Sequence, residues 1–240
     1  MKTSDIEYHV AGVRYVGYLA VDEAREGRRP GVLVAPEGMG LGDLCKAFAR
    51  RLADLGYVAF AVDYYGDGAL TPREEVMERI GRLTADPAPI RVIATAALEV
   101  LKAQPQTDPA RLAAIGYCFG GTTVLELARS GAEVAAVVGF HSGLGTTRPA
   151  EAGAVKARIL VQVGADDPLV PADARLAFEK EMTAAGADWR LTLFGGVGHS
   201  FTNPEVGALG MPGFAYDKDA DERSWRAMLD LFDEAVGPPA

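Results

Sequence analysis

The chain opens in a two-residue rhythm and then abandons it. Residues 6 to 21, IEYHVAGVRYVGYLAV, alternate apolar and polar positions on either side of Ala11-Gly12, the period of two antiparallel strands with one wet face. After that, apolar residues come in short, nearly continuous runs: GVLVAPE (31 to 37), YVAFAVDYY (57 to 65), RLAAIGYC (111 to 118), VAAVVGFHS (134 to 142), RILVQVGADD (158 to 167) and WRLTLFG (189 to 195). Runs of this length fit strands covered on both faces. Between them apolar residues recur three and four apart over 43 to 55, 89 to 103, 120 to 130 and 172 to 185, with a last such stretch from 217 to 235. That spacing predicts helices.

Strand and helix in alternation predict an α/β fold, with a mostly parallel central sheet, an N-terminal antiparallel hairpin and helices on both faces. The sequence shows no internal repeat, low-complexity block or Pro/Gly/Ser-rich linker, so a single domain over 1 to 240 is expected. A chain of this size buries about 70 to 75% of the surface it exposes when unfolded, enough for one core without staples.

Charge and composition narrow the partners. The formal net charge is -9, and cations such as Lys46, Arg50 and Arg51 are scattered instead of forming a basic stripe. A surface of this kind repels phosphate backbones and anionic lipid, so neither nucleic acid nor membrane is an expected partner. The first residues, MKTSDIEYHV, place acids where a signal peptide needs an apolar core, and no run approaches the roughly 18 apolar residues of a membrane span. A cytoplasmic protein is expected. Two cysteines, Cys45 and Cys118, are too few for a secreted disulfide framework and are expected as thiols. Three dispersed histidines offer no local zinc spacing, and GMGLG lacks the trailing Lys of a phosphate loop, so neither metal nor cofactor is expected. The sequence leaves the oligomeric state open.

In parallel sheets of this kind ligands bind beyond the carboxyl ends of the strands, which here carry Glu37, Asp63, Cys118, His141, Asp167 and His199. Gly116-Tyr117-Cys118-Phe119-Gly120-Gly121 follows a strand and precedes the helical stretch TTVLELARS. That is the setting of a G-x-nucleophile-x-G turn, with Cys118 where serine is usual. Glycines at 116 and 120 are needed because side chains there would collide with the neighbouring strand and helix. A thiol nucleophile needs a base and an orienting acid, which follow it in the chain in that turn's usual order of nucleophile, acid, base. This order excludes His9 and His141 as base and selects His199, in the glycine-rich loop GGVGHSF.

The acid comes from GADDPLVP; Asp167 is preferred over Asp166 because Pro168 fixes the turn that aims its carboxylate. The N–H groups of Phe119 and Gly38 are the candidate oxyanion donors. His141 is expected to line the pocket, while Asp63 and Tyr65 are expected to shape a local turn. Glu37 closes the first parallel strand and is ambiguous: beside the thiol its charge would oppose activation before substrate arrives, and a surface-facing carboxylate is the alternative.

Taken together, Glu37, GYCFGG, GADDPLVP and GHSF resemble the dienelactone hydrolase family of α/β-hydrolases, over nearly the whole chain. The resemblance implies that Cys118 is the nucleophile, that Asp167 and His199 complete a triad, and that Glu37 holds the resting thiol until substrate displaces it. In that family two arginines hold the substrate carboxylate, one of them four residues after the triad histidine. Here that position is Asn203, in HSFTNP, placed to contact substrate as a neutral amide; the other arginine falls in the region of Arg73, Arg79 and Arg82. About 15 residues join the strands that end near Ser142 and begin near Arg158, which leaves no room for a lid domain. The expectation is a hydrolase of small carboxylic esters or lactones that works through an acyl-cysteine. Its rivals are a carboxymethylenebutenolidase proper and a slow, ligand-sensing protein on the same fold.

Overall fold

Ala11 and Gly12 both take positive φ, 48° and 83°, the geometry of a two-residue turn whose twist matches the strands it joins. They connect β1 (Lys2–Val10) to β2 (Val13–Val21) in antiparallel register, Val10 opposite Val13. In this computed structural model, which describes residues 1–239, six further strands complete one sheet: β3 (Arg29–Ala35), β4 (Val58–Ala61), β5 (Thr107–Tyr117), β6 (Ala136–Phe140), β7 (Arg158–Gly164) and β8 (Trp189–Phe194). Their order is β1-β2-β4-β3-β5-β6-β7-β8. β2 pairs antiparallel with β4, and every pairing from β4 to β8 is parallel.

The helices are α1 (Asp43–Asp54), α2 (Val76–Ala85), α3 (Ala88–Lys102), α4 (Phe119–Arg129), α5 (Ala172–Ala184) and α6 (Lys218–Ala235). α1 and α6 cover one face, where Phe48, Leu52, Trp225 and Phe232 pack on Val34, Ala59 and Val138. α3, α4 and α5 cover the other, burying Leu98, Leu125 and Phe178 against Leu33, Phe60 and Ile159. Because a parallel strand buried on both faces sends alternate residues into opposite cores, Tyr117 enters the first core and Cys118 borders the second.

Three boundaries differ from the sequence pattern. β4 stops at Ala61, well short of the run to 65, because the Asp63 carboxylate turns the chain there: it accepts the N–H groups of Val16, Tyr65, Gly66 and Gly68. Asp63 is the turn-shaping residue the sequence implied. β5 starts at Thr107, earlier than expected, with a shift of register beside Pro30 and Gly31. α2 was not expected at all. Val76, Ile80 and Leu83 have helical spacing, but the helix is short, contains Gly81 and buries none of its residues; it lies across the loop after β3, with Val76 and Ile80 against Gly38.

The segment between β6 and β7 holds no helix. It is pinned by Arg129, whose buried guanidinium donates to Glu126, to both oxygens of Glu181 and to the Leu144 carbonyl. Such a buried charge is tolerated only when its donors are satisfied, and this one ties α4 to α5 and to the chain beside the strand ends. Among the described residues, no helix is long and apolar enough to cross a membrane.

Candidate active site

At the end of β5 the chain reverses into α4 through a single residue. Cys118 sits at φ 53°, ψ −117° as the N-cap of α4, a conformation rare for a residue with a side chain and held only by its surroundings. The close approach explains the glycines. A Cβ on Gly116 would lie 2.1 Å from the Gly120 carbonyl oxygen, and one on Gly120 would lie 2.1 Å from that of Ala35. One on Gly121 would overlap Ser142 Oγ. The result is a partly exposed thiol above a helix N-terminus, where the field favours negative charge.

The imidazole of His199 arrives from the loop after β8. The backbone N–H of His199 donates to the Gly213 carbonyl, and the Ala215 N–H donates to the His199 carbonyl, so the loop is fastened on both sides. Nδ1 of His199 donates to Asp167 Oδ2 at 2.7 Å, with both side chains buried. The second oxygen of Asp167 accepts the Leu169 N–H. Thus the carboxylate closes its own turn and orients the ring together, while Asp166 is exposed. Nε2 of His199 is buried and has no hydrogen-bond partner among the described residues. Burial pulls this imidazole down, but the bond to Asp167 and the interaction with the Cys118 thiol outweigh it and raise the pKa to about 10.

Opposite the thiol lies the loop after β3. The hydroxyls of Tyr64 and Tyr65 bond the carbonyls of Pro36, Glu37 and Gly38, which turns those carbonyls away. Among the described residues neither the Gly38 nor the Phe119 N–H donates to another group. The grip of these two hydroxyls on the carbonyls after β3 was not readable from the sequence, where Tyr65 is expected only to shape a local turn and Tyr64 is given no role.

Glu37 points toward the histidine loop. Its Oε1 accepts from Ser200 at 3.3 Å and its Oε2 from the Asn203 amide at 2.9 Å. Burial raises its pKa, against the lowering effect of Asn203, His199 and Ser200. No hydrogen bond joins it to Cys118 among the described residues. Asn203, expected to contact substrate, spends one side-chain N–H on Glu37, and its Oδ1 accepts the Glu205 N–H.

His141 requires a correction. It was expected to line the pocket, but its ring has no accessible surface and lies behind the nucleophile, with Nδ1 3.1 Å from the Cys118 nitrogen and Nε2 2.8 Å from Thr202 Oγ1. Burial, then the neighbouring His199, holds its pKa well below the usual value.

Of the three arginines singled out in the sequence, Arg79 pairs with Glu75 and lies over the Tyr65 ring, Arg82 pairs with Glu78, and Arg73 donates to the Leu209 carbonyl. Beside Glu37 and Asn203 a hollow of about 630 Å³ opens, walled by Met39, Phe48 and Leu70 and bordered by the acids Asp43 and Glu205. Cys45 and Tyr117 line it and Cys118 does not. Among the described residues no cluster of three or more His, Cys, Asp or Glu side chains is placed to hold a metal.

The chain has counterparts among known proteins. The model of the dienelactone hydrolase family matches residues 16–236. A crystal structure of a dienelactone hydrolase-like promiscuous phosphotriesterase from metagenomic libraries superposes with a TM-score of 0.94 at 43% identity, covering 98% of this chain and 99% of that one. A putative carboxymethylenebutenolidase of Aquifex aeolicus is 30% identical over 237 residues, 95% of this chain and 96% of its own. A probable 2-oxo-3-(5-oxofuran-2-ylidene)propanoate lactonase of Bradyrhizobium is 29% identical over 187 residues, 73% of this chain and 74% of its own. With a family match over most of its length on an α/β-hydrolase sheet, this chain is a hydrolase that belongs to the dienelactone hydrolase family.

Proposed function

We propose that the chain hydrolyses small, uncharged carboxylic esters or lactones through an acyl-cysteine intermediate. The observation that carries this reading is the His199 ring, fixed by Asp167 at 2.7 Å and presenting an otherwise unpartnered Nε2 on the side of the Cys118 thiol. Cys118 sulfur, its proton taken by Nε2, attacks the ester carbonyl carbon. The carbonyl oxygen gains the negative charge and is met by the N–H groups of Phe119 and Gly38, dipoles already oriented before reaction. The C–O bond then breaks, and His199 returns the proton to the leaving alkoxide. Water, deprotonated by the now neutral His199, attacks the thioester and releases acid and free thiol. Asp167 keeps the proton on Nδ1 and stabilises the imidazolium throughout.

Glu37 accepts from Ser200 and Asn203 and has no hydrogen bond to Cys118 among the described residues, which on this reading is the released position. To restrain the thiol, as the family resemblance implies, it would have to leave Asn203. A small substrate is favoured because the segment between β6 and β7 forms no helix to cap the cleft, and a cleft without such a cap suits short acyl groups. The site is complete within one chain of one continuous sheet, which supports a single catalytic domain.

A panel of p-nitrophenyl esters of increasing chain length, together with a dienelactone, tests the reading on wild type and Cys118→Ala. Steady turnover of acetate or butyrate that is lost in the variant supports it; one stoichiometric burst without turnover would instead support the slow sensor. A second reading, phosphotriester hydrolysis at the same thiol, draws on the 43% identical relative named for that activity. Release of p-nitrophenol from paraoxon by wild type but not by Cys118→Ala supports it.

A further inference from the structure

His141 is a fully buried histidine, and the proposed reaction gives it no step. Its backbone sits at φ 40°, a strained setting for a residue with a side chain, of the sort that persists when a function or a tight surround demands it. Its two ring nitrogens touch two segments that must stay in register for the chemistry: Nδ1 the backbone nitrogen of Cys118 at 3.1 Å, Nε2 the Thr202 hydroxyl at 2.8 Å. Thr202 lies three residues beyond His199 on the same loop. The ring of His141 also packs edge-on to that of His199, 5.1 Å between centroids, and to Phe201 at 5.2 Å.

The tautomer follows from the donors. The Cys118 N–H can only give a hydrogen, so Nδ1 of His141 carries the lone pair, and the ring proton is on Nε2, donated to Thr202. Protonating Nδ1 would set two N–H groups against each other and place a second cation beside the His199 imidazolium. The groups facing the ring are Tyr117, Phe201, Thr202 and His199, with no carboxylate among them to favour a charge. The Cys118 N–H also bonds the Phe140 carbonyl at 3.0 Å, so the turn itself does not depend on His141. What depends on it is where the turn sits relative to the histidine loop.

Building on the triad reading, we propose that His141 is a positioning residue, a neutral clamp whose two ring nitrogens hold the Cys118 turn and the His199 loop at reacting distance. An error of about 1 Å between nucleophile and base costs on the order of a hundredfold in rate, so the clamp acts on kcat and leaves KM alone.

The test compares His141→Phe, which keeps a buried ring and removes both hydrogen bonds, with His141→Gln, which can offer a carbonyl oxygen to Cys118 and an N–H to Thr202. For p-nitrophenyl acetate we expect His141→Phe to lower kcat by about ten- to a hundredfold with KM within about twofold of wild type, and His141→Gln to recover most of the loss. Unchanged kcat in the Phe variant overturns the proposal. So does a rise in KM at constant kcat, which would mean contact with substrate, or a folded Gln variant no better than Phe, which would mean ring packing alone. If a His141 variant fails to fold, Thr202→Val decides instead, since it removes only the acceptor of Nε2–H. It should lower kcat by a similar factor, and wild-type kcat overturns the clamp. Cys118→Ala, run alongside, separates the two ideas: if it still hydrolyses the ester, the triad reading fails whatever His141 does.

Discussion

Asn203 donates its side-chain N–H to Oε2 of Glu37 at 2.9 Å, so the residue at the position where the family resemblance implied a substrate-binding arginine is committed to the protein's own carboxylate. Burial raises the Glu37 pKa, and Asn203 opposes the rise. A carboxyl whose folded pKa lies above its unfolded value costs stability as pH climbs through that folded value, because ionisation is harder in the fold. Asn203→Ala should raise the Glu37 pKa further and make the fold less stable by about 1 to 3 kcal/mol at pH 8, with a smaller deficit at pH 4. Urea unfolding at the two pH values measures this; equal deficits would show that Asn203 does not act through the charge of Glu37.

The two adjacent aspartates should behave differently. Asp167 holds His199 Nδ1 in a buried pair, and its replacement by Asn favours the wrong tautomer. Asp166 is exposed. We expect Asp167→Asn to lower kcat/KM by on the order of 10² to 10⁴, and Asp166→Asn to change it by less than about threefold. Similar, small effects at both positions would mean that the ring is oriented by another group.

His199, raised to about 10, makes the pH dependence testable at one ring. A histidine whose folded pKa exceeds its unfolded value of about 6.5 adds stability that is full below 6.5 and is lost as pH rises toward 10. Nitrogen NMR of the ring should show both nitrogens protonated at pH 8, and Cys118→Ala or Asp167→Asn should each lower the transition, since each removes a group that raises it. A transition near 6.5 in wild type would contradict the pairing.

The tight turn at Cys118 was legible in the sequence because it leaves no choice: collisions at 2.1 Å demand glycine at 116 and 120; chain order then points to His199 and the Pro168 turn to Asp167, two side chains that meet at 2.7 Å. The strands were legible because burial on both faces leaves continuous apolar runs. What could not be read depended on partners distant in sequence. His141 meets Thr202 from 61 residues away, Asn203 meets Glu37 from 166, and no local pattern encodes either contact. α2 escaped although Val76, Ile80 and Leu83 keep helical spacing, because the stretch is short, contains Gly81 and buries none of its residues, so the helix lacks the apolar core face that marks the others. The hydroxyls of Tyr64 and Tyr65 act on backbone carbonyls, which every sequence supplies.

Substrate charge should separate the ester reading from a carboxymethylenebutenolidase proper. Arg73, Arg79 and Arg82 are all engaged with acceptors, the hollow beside Asn203 is bordered by Glu37, Asp43 and Glu205, and its Arg50 donates to the Tyr18 hydroxyl. A carboxylate-bearing lactone therefore lacks a free charged fork, a contact that contributes about 1.5 to 3 kcal/mol. Neutral short esters should exceed a dienelactone in kcat/KM by about ten- to a hundredfold. Asn203→Arg should narrow that gap without closing it, because the guanidinium meets Glu37 first. A wild-type preference for the dienelactone would mean that Arg79, over Tyr65, turns from Glu75 to hold the substrate.

The central claim is that Cys118 carries the acyl group. Wild type, rapidly acid-quenched during turnover of a p-nitrophenyl ester and digested, should yield one peptide heavier by the acyl mass, the one containing Cys118; the buried Cys45, its thiol pushed up by burial, should stay unmodified. Cys118→Ala should carry no adduct and lose at least about a thousandfold in kcat/KM. Hydrolysis near the wild-type rate by the alanine variant, or an acyl group found on another residue, would contradict the account.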